Sequence, residues 1–197
     1  MKLVVVDCQN DFCEGGALPV IGGNKAVENI ANFIKRNVKQ IECIHFTMDF
    51  HPFNHCSFVE NGGQWPKHCV DYTNGACLHP LLIDAVGFIV DNCGENLGIY
   101  FDPKGTNPFK EQYGAYEPLP NNVDGEYNIE EFNTGDEVIV CGIAGDYCVL
   151  ETAKNLIKRG YKVKFYLDGI ASIDNGKTIM DFIETEEAKN SLTYKEK

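Results

Sequence analysis

The distribution of apolar and polar positions along the chain predicts strands that alternate with helices. Short apolar runs of the kind found in buried parallel strands occur at 2–6, 40–47, 98–101, 138–140 and 162–167. Apolar residues at helical spacing predict helices at 24–38, 81–86 and 176–188, while segment 121–133 fits either a helix or a polar connection. This alternation predicts an α/β fold with a parallel sheet and helices on both of its faces.

The segment 137–160 shows the clearest pattern of strand, glycine turn and amphipathic helix. The predicted helix has an apolar face formed by Val149, Leu150, Ala153, Leu156 and Ile157. Asp146 is a candidate N-cap, and Cys148 then lies in the first helical turn. The unpaired N–H groups and the dipole at a helix start favour a thiolate, which is the nucleophilic form. A buried cysteine that only packs is the alternative.

Two further polar residues occupy positions equivalent to that of Cys148. Asp7 directly follows the strand at 2–6, and Lys104 lies just beyond the strand at 98–101. In open α/β sheets the active site forms beyond the carboxyl ends of the strands. If these strands are neighbours, a carboxylate can take the thiol proton, the thiolate can attack, and the ammonium can stabilise negative charge. Taken alone, Asp7 fits a solvated turn residue or a helix cap better than a catalytic group, and Lys104 fits a solvated charge better.

The segment 49–76 is long, irregular and rich in turn-forming residues, yet its five aromatic residues argue against disorder. It contains His51, His55 and His68, with Asp49 two positions before the first of them. One carboxylate with several imidazoles suits zinc, iron or manganese. The sequence therefore predicts a metal site in this segment, and exposed histidines are the alternative.

The composition of the chain indicates its number of domains, its partners and the state of its cysteines. A chain of 197 residues with 44% hydrophobic content is predicted to form one domain, 1–197. Its net charge of −12 argues against nucleic acid or an anionic membrane as a partner. Nine cysteines, an odd number with no CxxC pair, favour free thiols. We find no signal-peptide pattern and no apolar run of membrane-spanning length, so we expect a cytoplasmic protein.

Several motifs taken together resemble a known family. They are VVDCQNDFCEGGALPV, TMDFHPFNHCSF, QWPKHCV, a strand that ends in Lys-Gly, and VCGIAGDYCV. In this order, and over nearly the whole chain, they are similar to the nicotinamidases among the isochorismatase-like cysteine hydrolases. The resemblance implies a three-layer fold with a six-stranded, mostly parallel sheet. It also implies hydrolysis of nicotinamide to nicotinic acid and ammonia through a cysteine thioester, a step in NAD salvage.

The same resemblance assigns catalytic roles. It implies that Asp7, Lys104 and Cys148 form the catalytic triad. It further implies a cis peptide between Ile143 and Ala144, which turns the N–H groups of Ala144 and Cys148 toward the oxyanion. Cys8 replaces a more usual apolar residue of the family, a departure that does not touch the triad.

For the binding residues, the resemblance implies that Asp49, His51 and His68 hold one divalent metal ion, with zinc first and iron or manganese as alternatives. His55 matches a position that is a ligand in some members only. The substrate, a small molecule, is expected between aromatic side chains that match Phe12 and Trp65, with Tyr113 or Tyr116 as a third wall. The loop after Gly105 is longer than in some members, which leaves the choice of tyrosine open.

Three other functions stay open beside this one. A related hydrolase of ureido or carbamoyl compounds shares the triad but not the metal residues. A metal-binding protein without activity is disfavoured, because it has no need of Asp7, Lys104 and Cys148 together. An isochorismatase proper does not use this cysteine. A homo-oligomer is compatible with the sequence.

Overall fold

The sheet of this protein has six parallel strands. The structure is a computed structural model that describes residues 1–93, 97–117, 129–185 and 192–193. The strands are β1 Lys2–Val6, β2 Cys43–Asp49, β3 Gly98–Lys104, β4 Glu137–Ile143, β5 Lys162–Ala171 and β6 Leu192–Thr193. Their order across the sheet is β3-β2-β1-β4-β5-β6, and every pairing is parallel. The predicted α/β class and the six-stranded sheet are confirmed.

Helices cover both faces of this sheet. They are α1 Gly23–Asn37, α2 Pro80–Cys93, α3 Leu150–Lys158 and α4 Lys177–Ile183. Successive residues of β1 enter different cores, because side chains of a strand alternate between the two faces. Leu3 and Val5 pack in the core that includes α1 and α2. Val4 and Val6 pack in the core that includes α3 and α4.

Several element ends differ from the predictions. The helix predicted at 81–86 is the longer α2, and β2, β3 and β5 each continue past their predicted ends. In β3 the added residues are Asp102, Pro103 and Lys104, whose polarity and proline hide the strand pattern. Proline is tolerated there because β3 is an edge strand. The predicted helix at 176–188 is the shorter α4. Residues 118–128, and with them most of 121–133, lie outside the described residues, as do 186–188.

The chain between β4 and α3 also departs from the prediction. A π-helical turn, Gly145–Val149, precedes α3, so Cys148 lies in this turn and not in the first turn of an α-helix. Asp146 is not the N-cap. Its carboxylate instead accepts the N–H groups of Ile173 and Asp174, at 3.0 and 3.1 Å. Asp146 therefore joins the turn to the segment after β5.

The order of the strands reverses between β1 and β4. β1 pairs with β2 on one side and with β4 on the other, so connections on its two sides run in opposite directions across the sheet. A crevice forms beyond the carboxyl ends of strands at such a switch point. Asp7 and Cys148 follow β1 and β4 directly into this crevice.

Among the described residues, none of the helices combines the length and the apolar character that crossing a membrane requires.

Candidate active site

The structure brings together Asp7, Lys104 and Cys148, and all three are buried. The Lys104 Nζ lies 2.8 Å from Asp7 Oδ2 and 3.7 Å from Cys148 Sγ. The thiol sulfur and a carboxylate oxygen of Asp7 lie within 4.8 Å of each other. β3, which carries Lys104, is not a neighbour of β1, because β2 lies between them. The long lysine side chain spans that strand and completes the group.

Asp7 is held so that one of its oxygens has room for a proton. Oδ1 accepts a hydrogen bond from Thr47 Oγ1 at 2.7 Å, and the Asp7 N–H donates to the Thr47 carbonyl at 3.0 Å. Oδ2 is paired electrostatically with Lys104, yet no donor is aligned to hydrogen-bond it. A thiol proton from Cys148 could be accepted at this oxygen. Thr47 is not recognisable from the sequence, since a threonine inside a strand is common.

Burial shifts the pKa values of Cys148 and Asp7. It raises the pKa of the Cys148 thiol well above its usual value, and the nearby Lys104 ammonium only partly opposes this effect. This direction is opposite to the expectation that the start of the helix favours a thiolate. Burial also raises the pKa of Asp7, which makes its carboxylate a stronger base. The arrangement suits a thiol that is deprotonated by Asp7 during the reaction.

Asp49 joins this group to the histidines. Its Oδ1 accepts a hydrogen bond from Lys104 Nζ at 2.5 Å. Its Oδ2 lies 3.5 Å from His51 Nε2 and 3.9 Å from His68 Nε2. Burial raises the pKa of Asp49, but the combined attraction of Lys104 and His51 outweighs burial and lowers this pKa below its usual range. An ionised carboxylate thus lies between an ammonium and two imidazoles.

The two imidazoles are oriented as metal ligands are. His51 Nδ1 donates to the Gly105 carbonyl at 2.9 Å, and His68 Nδ1 donates to the Pro66 carbonyl at 2.7 Å. Each Nε2 is therefore unprotonated in the neutral ring and faces Asp49. Asp49, His51 and His68 offer ligand atoms that all lie within 4.8 Å of one another. Two nitrogens and one carboxylate with outer partners fit a divalent ion of the zinc, iron or manganese type.

Gly105 allows His51 to take this position. Its φ is +65°, and a Cβ atom built there would lie 2.4 Å from His51 Cε1. Any other residue would therefore displace the imidazole.

The structure does not place His55 with these ligands. Its ring stacks on that of His51 at 4.2 Å between centroids. His55 Nε2 donates to the Lys110 carbonyl at 3.2 Å, and its Nδ1 accepts the Ser57 N–H at 3.2 Å. Because both ring nitrogens have protein partners, His55 supports His51 from behind.

Gln9 is a further residue that the sequence did not indicate. Its side chain is fully buried, donates to the carbonyls of Asp49 and Ala76 at 2.7 and 2.8 Å, and accepts the Asp49 N–H at 2.8 Å. Gln9 thus fixes the backbone of Asp49. Its place three residues after a buried strand is a weak sequence signal.

A pocket with aromatic walls opens beside Cys148. Its lining includes Phe12, Trp65 and Tyr113, whose aromatic rings suit a flat ring-bearing molecule. Trp65 Nε1 donates to the Tyr113 hydroxyl at 3.1 Å. Tyr147 adds a wall that the sequence did not indicate, and it packs edge-on against Trp65 with 5.1 Å between ring centroids.

Tyr116, the other candidate for the third wall, lies elsewhere. It is buried, and its hydroxyl donates to Asp102 Oδ2 at 2.6 Å. Tyr116 does not line the pocket beside Cys148, and it lines a second pocket together with Asp102 and Lys104.

Backbone groups next to Cys148 also face the pocket. The peptide bond between Ile143 and Ala144 is cis, as the resemblance implies. Ala144 lines the pocket with Cys148. Within the described ranges, the Ala144 N–H donates to no protein acceptor. This N–H is available to a bound molecule.

Comparison with known proteins agrees with this geometry. The sequence model of the Isochorismatase domain family matches residues 2–91 and 126–187. The chain belongs to this family.

Relatives within the isochorismatase domain family are similar over most of the chain. A nicotinamidase of Escherichia coli (strain K12) is 33% identical over 190 residues, which cover 87% of this chain and 83% of that protein. A nicotinamidase/pyrazinamidase of Mycobacterium tuberculosis (strain ATCC 25618 / H37Rv) is 32% identical over 193 residues, which cover 96% of each. A solved structure, the pyrazinamidase of Pyrococcus horikoshii in complex with zinc, has a TM-score of 0.71 and 31% identity, and covers 98% of this chain and 96% of that one.

Proposed function

We propose that this chain is a nicotinamidase, which hydrolyses nicotinamide to nicotinic acid and ammonia in NAD salvage. The observation that carries the proposal is the burial of Asp7, Lys104 and Cys148 at one end of an aromatic pocket. The named activities of the similar proteins support it. The proposal extends to a single domain over 1–197 that works in the cytoplasm on a small molecule.

The first half of the reaction forms a thioester. Asp7 takes the Cys148 proton at its unfilled oxygen, and the sulfur attacks the carboxamide carbon. The N–H groups of Ala144 and Cys148 hold the resulting oxyanion, and the Lys104 ammonium, 3.7 Å from Sγ, adds positive charge beside it. Asp7 then returns the proton to the leaving nitrogen, so that ammonia departs as the C–N bond breaks.

The second half releases the acid. Asp7, again a carboxylate, takes a proton from water, and the oxygen of that water attacks the thioester carbonyl. The C–S bond breaks, and the Cys148 thiol regains its proton. Burial favours this neutral thiol as the leaving form, because it raises the pKa of Cys148.

Asp49, His51 and His68 would hold the metal, which we propose to be zinc. When bound, such an ion supplies a Lewis-acid position for the ring nitrogen of the substrate. The chain itself contributes the orientation of the ligands. The carbonyls of Gly105 and Pro66 fix the two imidazoles, and Phe12 and Trp65 confine the ring.

An ammonia-release assay tests this proposal directly. Purified protein with zinc, iron or manganese should release ammonia from nicotinamide and produce nicotinic acid in equal amount. A ureido or carbamoyl compound should give no ammonia under the same conditions. Turnover of such a compound without turnover of nicotinamide would show that the chain is one of the related hydrolases of ureido or carbamoyl compounds.

Replacing Lys104 with methionine should lower kcat more than it changes KM. The variant keeps the apolar stem and loses the charge that acts on the developing oxyanion. It also leaves Asp7 and Asp49 without their shared cation, so thermal stability should be measured beside the kinetics. An unchanged kcat would show that the charge of Lys104 does not act in the reaction.

Chelation of the metal should raise KM for nicotinamide steeply or stop turnover, and added Zn²⁺, Fe²⁺ or Mn²⁺ should restore it. His68→Ala should behave like the chelated enzyme, because it removes one of the two imidazole ligands. Benzamide lacks a ring nitrogen and should be a poor substrate of the loaded enzyme. Comparable kcat/KM values for the two amides would show that the metal stabilises the segment 49–76 without anchoring the ring.

A further inference from the structure

Asp11 is an acidic residue beside the site that the proposed mechanism does not use. Its carboxylate accepts two backbone N–H groups, from Cys69 at Oδ2 and from Ala17 at Oδ1, with distances of 2.8 and 3.1 Å. Its own N–H donates to the Gly75 carbonyl at 3.1 Å. Asp11 therefore connects the loop after β1 with the end of the segment 49–76, which carries the histidines.

Cys69 is bonded to both of the imidazole-bearing residues of the candidate metal site. It directly follows His68, and its carbonyl accepts the His51 N–H at 3.0 Å. Its φ of +44° is uncommon for a residue other than glycine and costs free energy, so surrounding contacts must hold it. Cys69 is fully buried, and its N–H has the Asp11 carboxylate as its partner. A change at Asp11 therefore reaches both imidazoles through one residue.

Gly75 allows the carboxylate to take this place. A Cβ atom built at Gly75 would lie 2.0 Å from Asp11 Oδ2, the oxygen that holds Cys69, and 2.5 Å from Oδ1. An alanine at this position would displace the carboxylate, because a side-chain end moves more easily than the backbone. The chain thus offers a substitution that moves Asp11 without changing its chemistry.

Asp11 also lies next to a wall of the substrate pocket. Phe12 follows it and lines the pocket, and the Phe12 ring packs against that of His68 with 5.5 Å between centroids. Leu18, whose N–H donates to the Asp11 carbonyl at 2.9 Å, lines the pocket as well. The backbone around Asp11 therefore carries the pocket wall, while its side chain holds the segment that carries His68.

We propose that Asp11 is a positioning residue of the metal site. By holding Cys69, its carboxylate sets the places of the His51 and His68 imidazoles relative to each other. The inference rests on the proposed function, because it takes Asp49, His51 and His68 as ligands of a zinc ion. Partners that fix metal ligands contribute about 10- to 100-fold to metal affinity, and Asp11 acts through one residue more. The expected contribution is therefore about tenfold.

Zinc affinity, measured by competition with a chromophoric chelator, tests this inference without turnover. Asp11→Ala removes the acceptor of the Cys69 N–H and should weaken zinc binding by about tenfold. Gly75→Ala, which keeps the carboxylate but displaces it, should weaken zinc binding in the same way. The double variant should lose no more than either single variant, because both changes break the same hydrogen bond. Losses that add would overturn the proposal.

Asp174→Ala is the matched control. The Asp174 carboxylate also accepts two backbone N–H groups, from Gly176 at 2.9 Å and Thr178 at 2.8 Å, at the start of α4. This variant should lower the melting temperature and keep the wild-type zinc affinity. If Asp11→Ala behaves in the same way, Asp11 only stabilises its loop and the proposal is wrong. Gly75→Ala decides the question if Asp11→Ala does not fold.

The kinetics at saturating zinc give a second measurement. Asp11→Ala should raise KM for nicotinamide more than it lowers kcat, because the metal and the Phe12 wall shift while Cys148 and its partners stay in place. A wild-type protein that binds no zinc would overturn the inference, since its ligands would then be absent. A wild-type protein that binds zinc but releases no ammonia from nicotinamide would contradict the proposed function alone.

Discussion

Replacing Cys148 with alanine should abolish ammonia release from nicotinamide while leaving the fold and the metal content intact. In the proposed mechanism Cys148 supplies the sulfur that attacks the carboxamide, and no other cysteine lines the pocket within the described residues. Its removal leaves Asp49, His51 and His68 untouched. Turnover is measured with nicotinamide, the fold by circular dichroism, and the metal by elemental analysis.

Cys141 offers a matched control for this variant. It is a buried cysteine on β4, seven positions before Cys148, and it packs in the core on the side of α1 and α2. Cys141→Ala should lower stability, as loss of a buried side chain does, and keep turnover. A Cys148→Ala protein that retained more than a few per cent of the wild-type rate would exclude Cys148 as the nucleophile.

Changing Asp7 to asparagine should lower kcat by about 10²- to 10⁴-fold, the usual contribution of a general base. The amide keeps the shape of the side chain but cannot take the thiol proton. Because burial keeps the resting pKa of Cys148 high, the loss of the base should also slow alkylation of this thiol by iodoacetamide. Turnover and alkylation are therefore measured together.

Asp102→Asn is the control for the loss of a carboxylate near this edge of the sheet. Asp102 accepts a hydrogen bond from the Tyr116 hydroxyl at 2.6 Å and pairs with His45 at 2.7 Å, and it does not line the pocket beside Cys148. Its replacement should affect stability more than kcat. Alkylation of Asp7→Asn at the wild-type rate would show that another group activates Cys148.

The sequence predicted the arrangement of strands and helices because apolar periodicity reports burial. It predicted the ends of strands poorly. Strand β3 continues through Asp102 and Lys104, whose polar side chains bond Tyr116 and Asp49, so their polarity conceals the strand pattern. Helix α2 is apolar on more than one face, with Ile83 and Val90 more than half exposed, which blurs the helical period.

At the site, the sequence indicated residues whose type carries the chemistry and missed those that act through position. Asp7 and Cys148 were recognisable as polar residues beyond strand ends. Gln9 and Thr47 act through hydrogen bonds to Asp49 and Asp7, each 40 positions away in the chain. Composition does not predict such contacts. The role of His55 likewise depends on position, since its ring nitrogens bond the Lys110 carbonyl and the Ser57 N–H.

The distribution of the reacting groups over the sheet has a consequence for partial unfolding. Asp7 follows β1, which is paired on both sides, while Lys104 ends β3, which among the described residues pairs only with β2 and is an edge strand. Edge strands open by local fluctuations at lower free energy than central strands, which exchange their amide hydrogens only on global unfolding. Amide exchange should therefore be faster in β3 than in β1. Release of β3 removes the ammonium from a core that is still folded, so mild denaturant should inactivate the enzyme before its circular dichroism changes.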